Sequence, residues 1–442
     1  MNRTLYRAVA GMCTALALAA CGSEPTQPAA AGILVAAGDG QTGTASYPLA
    51  DSIVVTITDA SGAPAQGVPV GFTASGQGVA APAVDTTDVN GRATTSWTLD
   101  LGPGAQSLQI TAPGYDSASV AATATAFDAD QISSGTTPFA CAVASGTAYC
   151  WQVDSTPRAV AGGPYSEIAV GGDAACAVDQ GGAPYCWDLW QGSTPAVVAG
   201  APALHSLTMS LKRGPGWTSC GLAADGSAWC WGDVPLSAGM TISSSAIEAA
   251  PGFHFAELTA GDDVLCGIDS AGAGYCWGRN RTNSLGLGTA ATEAYYGTPQ
   301  PLDSPLKFSR IANSGFGGCA TAADGNSYCW GDSNGEPAGD GSSVRLLPGV
   351  NGAQYSMAFE TTTLLSNSRP WWWGLQPNGD LGSNPLQVLA SAEPSDAALS
   401  FASFSGTYYP CGLTAERIAY CWTYSGSPGI DGHWTIHAVA AP

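Results

Sequence analysis

Fourteen cysteines are the most reactive feature of this 442-residue chain. Cys13 and Cys21 stand alone near the start. The others fall into six couples spaced 9 or 10 apart: Cys141/Cys150, Cys176/Cys186, Cys220/Cys230, Cys266/Cys276, Cys319/Cys329 and Cys411/Cys421. Coupled thiols can close disulfides, hold zinc or exchange electrons as a dithiol. Zinc knuckles need Cys-x₂₋₄-Cys and dithiol exchange favours Cys-x-x-Cys, and neither spacing occurs. The couples therefore read as structural disulfides, and no metal site is expected.

Other chemistry is sparse. Gly331-Asp332-Ser333-Asn334-Gly335 spells G-x-S-x-G, but a nucleophile elbow needs a following helix and a carboxylate-held histidine. No helical periodicity follows it. The histidines are His205, His254, His433 and His437. His433 and His437 occupy a Gly-rich loop and a strand pattern, where a spacing of four gives no shared helical face for zinc. There is no phosphate loop and no H-E-x-x-H. Carboxylates mostly mark turns, where Asp serves local hydrogen bonds, and no two of them stand out as a glycosidase pair. No catalytic residue and no cofactor is expected. A hydrolase or lyase with a cryptic carboxylate site, or a purely structural envelope protein, is the alternative.

The elements that position the cysteines are hairpins. A two-residue turn at Ser145-Gly146 pairs Ala144 with Thr147, Val143 with Ala148, and so Cys141 with Cys150 at a non-hydrogen-bonded position. There the Cα atoms lie about 4.5 Å apart, within disulfide reach. Couples spaced by 10 need one more loop residue, and Asp225-Gly226 or Asp324-Gly325 supplies a left-handed turn position. An aromatic precedes each second cysteine and Trp follows it, giving Trp151, Trp187, Trp231, Trp277, Trp330 and Trp422. A seventh copy has Thr363 and Trp372 in the cysteine places and Trp373 after them. First positions recur at 141, 176, 220, 266, 319, 363 and 411, a period of 35 to 53.

The fullest copy, FAELTAGDDVLCGIDSAGAGYCWGRNRTNSLGLGT (255–289), closely resembles the regulator of chromosome condensation repeat. That family builds seven-bladed β-propellers, so the resemblance implies one over residues 128–442. Closing a ring of blades that cannot bury both faces alone leaves only short edges. The framed tryptophans are then expected between blades, and Trp434–Val439 is expected to complete the ring against Gln131–Ser134. Trp190, Trp217, Trp371 and Trp434 lie outside the frame or vary it, and are the candidates for a binding face. Contacts are expected on segments 188–199, 233–250, 279–301, 332–348 and 375–385, since loops carry function on rigid scaffolds.

Residues 33–127 lack cysteine. Strands are predicted at 53–58, 67–74, 93–99, 108–112 and 119–125, with a hairpin signal at Asp88-Val89-Asn90-Gly91. The phrases VVTITDASGAPAQGVPVGFTAS and TTDVNGRATTSWTL resemble the bacterial immunoglobulin-like group 1 family, which implies a β-sandwich used as a spacer or adhesive module. Asp128 and Asp130 between the two modules could chelate calcium. Without a D-x-D-x-D-G loop they read as a solvated linker.

Arg3, Arg7 and the apolar run Ala8–Leu18 make a signal-type segment too short to span a bilayer. It ends Leu18-Ala19-Ala20-Cys21, which resembles a bacterial lipobox, and the resemblance implies cleavage after residue 20 and acylation of Cys21. The sequence GSEPTQPAAAG, completing 21–32, reads as a flexible tether. Gly22 after the cysteine points to the outer membrane or cell surface.

Composition sets the remaining limits. Charged residues make up 11% of the chain against 45% apolar, with 58 Gly and 29 Pro, which suits strands and turns and excludes an all-α fold. The net charge of −21, with only Lys212 and Lys307 as lysines, leaves no basic stripe for nucleic acid. Small-GTPase exchange, known in the propeller family, does not suit an exported chain. The sequence reads as an all-β, monomeric envelope lipoprotein: an immunoglobulin-like sandwich followed by a propeller whose loops bind a protein or glycan.

Overall fold

The computed structural model describes residues 32–442 except 154, 211–215, 237–238, 289–293, 332–343, 353, 359–360, 375–386, 389–398 and 426–432. Cys21, the signal segment and nearly all of the tether lie outside the described residues, as do the variable segment 375–385 and most of 332–348. Apart from one 3₁₀ turn at Arg281–Asn283, every described element is a strand.

Residues 32–125 form two packed sheets. One runs Gly32–Ala37, Ile53–Thr58, Arg92–Thr98, Val79–Ala81; the other runs Gln41–Thr44, Ala118–Thr125, Gly104–Thr111, Pro69–Ala74, Val84–Thr86. Ile53, Val55, Ile57 and Trp97 from the first meet Phe72, Leu108, Ile110 and Val120 from the second in one buried core. The alternation of buried and open positions along 53–58 is what a half-buried strand requires. Asp88–Gly91 does turn, with Gly91 at φ 72°. However, the strands on either side of it, Val84–Thr86 and Arg92–Thr98, belong to different sheets, so it is not the tip of a hairpin. Four strands were not predicted: Gln41–Thr44, Val79–Ala81 and Val84–Thr86 are too brief to show a period, and Gly32–Ala37 (GILVAA) is an apolar run without alternation.

Among the described residues the rest of the chain makes seven four-stranded sheets, each from four consecutive strands. These blades span 131–159, 165–197, 204–248, 255–301, 308–351, 354–388 and 401–438. Their first strands lie side by side around an axis, and Phe401–Ser405 of blade 7 packs on Gln131–Ser134 of blade 1 to close a ring. This corrects the expected closure. The last strand, His433–Ala438, pairs within blade 7 along Ala419–Ser425 and not with Gln131–Ser134. The seam is instead tied near the axis, where the Ser134 hydroxyl donates to the Ser405 carbonyl at 2.8 Å.

Side chains on the first strands stitch each blade to the next. Gln131 Oε1 accepts the Ile168 amide at 2.7 Å, both Glu167 carboxylate oxygens accept amides of Ser206 and Leu207, and Glu257 Oε1 accepts the Ile311 amide at 3.0 Å. An innermost strand presents one unpaired edge, and these acceptors satisfy it. Burial pushes the Glu257 carboxyl above its ordinary value, against the downward pull of the Ile311 amide and the Arg310 guanidinium. The folded state therefore holds this proton more tightly than the unfolded chain. The associated stability is full below the ordinary value of 4.5 and is lost as pH rises through the raised one. Glu257→Gln keeps an acceptor without the charge. Thermal melts should show it more stable than the parent at neutral pH, with the gap closing as pH falls to 4.5.

All six disulfides form, with Cα–Cα distances of 4.0–4.1 Å across paired strands. Blade 1 shows the register expected from its two-residue turn, Ala144 opposite Thr147 and Cys141 opposite Cys150. In the 10-spaced hairpins of blades 2–5 an Asp caps the turn amides, as Asp225 Oδ1 does for Ser227 while Gly226 sits at φ 84°; in blade 7 Thr414 Oγ1 accepts the Ile418 amide and Arg417 takes the positive φ. Disulfides of this number belong to an oxidising compartment, which marks the chain as exported.

Successive strand residues face opposite sides, so a blade shows its disulfide to one neighbour and its Trp to the other. Trp187 shares a cluster with Cys141 and Cys150, Trp277 with Cys220 and Cys230, and Trp330 with Cys266 and Cys276. Trp231 Nε1 donates to Cys186 Sγ at 3.1 Å. Trp151 packs with Cys411 and Cys421 across the closing seam. Blade 6 has no bridge to offer, and there Trp422 packs on Phe401 and Phe404 in a core continuous with that of the two-sheet module.

Residues 127–130 are not a solvated linker. Phe127 and Ala129 are buried. The Phe127 amide donates to the Val439 carbonyl, the Ala419 amide to the Phe127 carbonyl, and the Ala129 amide to the Arg417 carbonyl. Asp128 and Asp130 both pair with Arg417, at 3.0 and 2.8 Å. The Tyr420 hydroxyl donates to the Leu101 carbonyl at 3.0 Å and the Ala438 amide to Ser46 Oγ at 2.9 Å. The two modules are thus one packed body around blade 7.

Candidate functional site

The four tryptophans outside the repeat frame have different fates. Trp217 is half-buried in a cluster with Leu204, Met209 and Trp231, and its carbonyl accepts the Asp233 amide at 2.8 Å. Trp371 stands in the frame of the tyrosines that precede the second cysteines, packs with Val350 and Met357, and donates to the Ser366 carbonyl. Both belong to packing between blades, which removes them from an open face. Trp434 lies opposite Tyr424 on the outer strand of blade 7, and its side chain is outside the described set. Trp190 alone of the four is shown in the open, 57% exposed.

Trp190 is held in place by its surroundings. It follows the strand Pro184–Asp188, in a loop that Asp188 and Ser193 tie together: the Gln191 amide donates to Asp188 Oδ1, and the Asp188 amide donates to Ser193 Oγ. Its Nε1 donates to Asp173 Oδ1 at 2.7 Å, and its ring meets Phe139 of blade 1 in a T-shape at 4.8 Å. An indole fixed at two points has already lost the rotamer freedom that a ligand would otherwise have to remove.

Beside it runs a groove of about 700 Å³ between blades 1 and 2. Gln152, Ser155, Thr156 and Arg158 line one bank, and Asp188 and Thr194 the other, with Trp151 and Trp187 in the wall. A second cavity of about 230 Å³ lies where the two-sheet module meets the ring, lined by Tyr47, Pro48, Thr423 and His437. The two share Trp151, Ser155 and Thr156. No sequence motif announces these linings. They come from loops of separate repeats and from a contact between modules.

The remaining chemistry stays scattered. Gly331 ends a strand, and 332–335 of the G-x-S-x-G match lie outside the described residues. His433 and His437 sit on a strand, about 13 Å apart along it, and His437 packs against Tyr47. Among the described residues no three of His, Cys, Asp or Glu cluster for a metal, and no helix is long and apolar enough to cross a membrane.

No family model matches the chain. Among solved structures it is similar to Prp20p from Saccharomyces cerevisiae, at 13% identity and TM-score 0.52 over 65% of this chain and 83% of that one. Human WBSCR16 aligns at 16% identity and TM-score 0.49, over 60% and 78%. The ectodomain of the Physcomitrella patens receptor kinase CR4 aligns at 19% and 0.43, over 68% and 74%. The likeness to Prp20p is one of fold, a β-propeller.

Proposed function

We propose that this chain is a binding protein of the cell envelope. Acylated Cys21 anchors it to the outer membrane or cell surface, and an immunoglobulin-like sandwich carries the ring. The groove beside Trp190 contacts a protein or glycan. The fixed, exposed indole beside a groove on a disulfide-braced scaffold carries this reading, because Trp joins a large apolar face to a polar handle and is enriched at interfaces, and ligand sites are concave. Prp20p, of similar fold, has recorded binding properties to Gsp1p and histones, which supports the ring as a binding scaffold. The reading has no enzyme activity, cofactor, nucleic acid or small GTPase in it, and the protein acts as a monomer.

Saturation binding of the full chain to soluble surface glycans and surface proteins tests the groove. Trp190→Ala should weaken any true partner by about tenfold or more, and an isotherm indifferent to it rejects the groove as the site. The anchor has its own test. Cys21→Ser should move the protein from the membrane pellet to the soluble fraction after cell breakage, and its retention in the pellet would reject acylation.

A further inference from the structure

We infer that the ligand is an elongated, uncharged glycan chain lying across both cavities, from Trp190 past Thr156 to the Tyr47–His437 pocket. The inference rests on the binding reading above and gives its chemical class and reach.

Four observations carry it. First, Trp190 offers an exposed, immobilised ring, and the flat C–H face of a sugar is the apolar surface such a ring can cover while its hydroxyls stay wet. Second, the banks carry hydroxyls and amides, from Gln152, Ser155, Thr156 and Thr194, able both to donate and to accept. Third, the charged residues lining the two cavities are Arg158 and Asp188, one of each sign, in a protein of net charge −21. A polyanion meets repulsion from the whole molecule, and the groove itself, with Arg158 facing Asp188, presents no local excess of charge to select a polycation. Fourth, the outer strand of blade 1 at this groove is only Arg158–Ala159. A peptide adding itself as a strand would find two residues of ladder, too few to hold it by backbone hydrogen bonds. The shared wall at Trp151, Ser155 and Thr156 makes the cavities neighbours along one path, and aromatic rings stand at both ends of it. A short sugar occupies the Trp190 end, while a longer one gains the contacts of the second cavity.

The test is calorimetric titration of the full chain with neutral oligosaccharides of the cello-, xylo-, malto- and chito-series, graded from disaccharide to octasaccharide. In at least one series affinity should tighten with length and then level off. Trp190→Ala should weaken all lengths by about tenfold or more. Thr156→Arg, an exposed change between the cavities, should cost the long oligomers their advantage and leave the short ones unchanged. Near-UV circular dichroism of both variants should match the parent, so that loss of binding is not loss of fold.

If no neutral series saturates while Trp190→Ala still weakens a captured protein partner, the glycan assignment falls and the binding module stands. If Trp190→Ala affects no ligand, both fall. Equal affinity for short and long oligomers overturns the two-cavity path.

Discussion

Trp422→Ala should lower stability by about 3–5 kcal/mol and divide a single thermal transition into two. The side chain is almost fully buried, and it packs on Phe401 and Phe404 where blade 6 brings no disulfide. Its cluster continues through Tyr420, Ile436 and Ala438 into Ile53, Phe72 and Leu108 of the two-sheet module. Removing the indole leaves a cavity at the point where three packing units meet. Scanning calorimetry reads both effects, and one undivided transition would show that the modules do not unfold through this core. Tyr420→Phe is the milder control. It leaves the Leu101 carbonyl without its donor and should cost about 1 kcal/mol without dividing the transition. Burial holds that phenol up to about 12, so the hydrogen bond persists throughout the neutral range.

Reduction should have the larger effect still. Each bridge closes a loop of 9 or 10 residues and limits the unfolded chain by about 2–3 kcal/mol in the chain-entropy model. Six such bridges sum to about 12–18 kcal/mol, on the scale of the whole stability of an ordinary domain, which is about 5–15 kcal/mol. Incubation with excess dithiothreitol in mild denaturant should unfold the ring and, through the core shared at blade 7, take the cysteine-free module with it. Tryptophan emission should shift to the red, because Trp187, Trp231, Trp277 and Trp330 all pack on bridges of neighbouring blades. A native emission spectrum after complete thiol release would show that strand pairing and tryptophan packing hold the ring without the bridges. A single double substitution, Cys319→Ala with Cys329→Ala, should cost about 2–3 kcal/mol by the same entropy.

Much of the ring is legible in the sequence for a local reason. A hairpin fixes register through its turn, so the cysteine spacing alone foretells which residues face each other, as Cys141 and Cys150 do. Packing between copies is nearly as legible, since a Trp next to a Cys on a strand must face the other way. The joint at 127–130 is not legible. Asp128 and Asp130 are solvated, as expected, but both pair with Arg417, almost three hundred residues later, while Phe127 and Ala129 beside them are buried. The groove is hidden for the same reason. Trp190 can be singled out as outside the frame, but its tie to Asp173 and its neighbours Thr156 and Arg158 come from turns that no period describes. Trp217 and Trp371 look equally free in the sequence. Only the neighbouring blade shows that they are packed.

The alternation of bridged blades and the one unbridged blade also governs how the molecule yields to pulling. A disulfide withholds the chain inside its loop, so a blade drawn out from its ends keeps back 9 or 10 residues, about 35 Å of contour. Blade 6, spanning 354–388, holds nothing back and releases its whole length. Pulled between its two ends, the chain would thus have five bridged blades on one side of the unbridged one, and a seventh, bridged as well, fastened to the two-sheet module. Tension would lengthen it in unequal steps, each bridged blade giving about ten residues fewer than it spans and blade 6 giving all of its own.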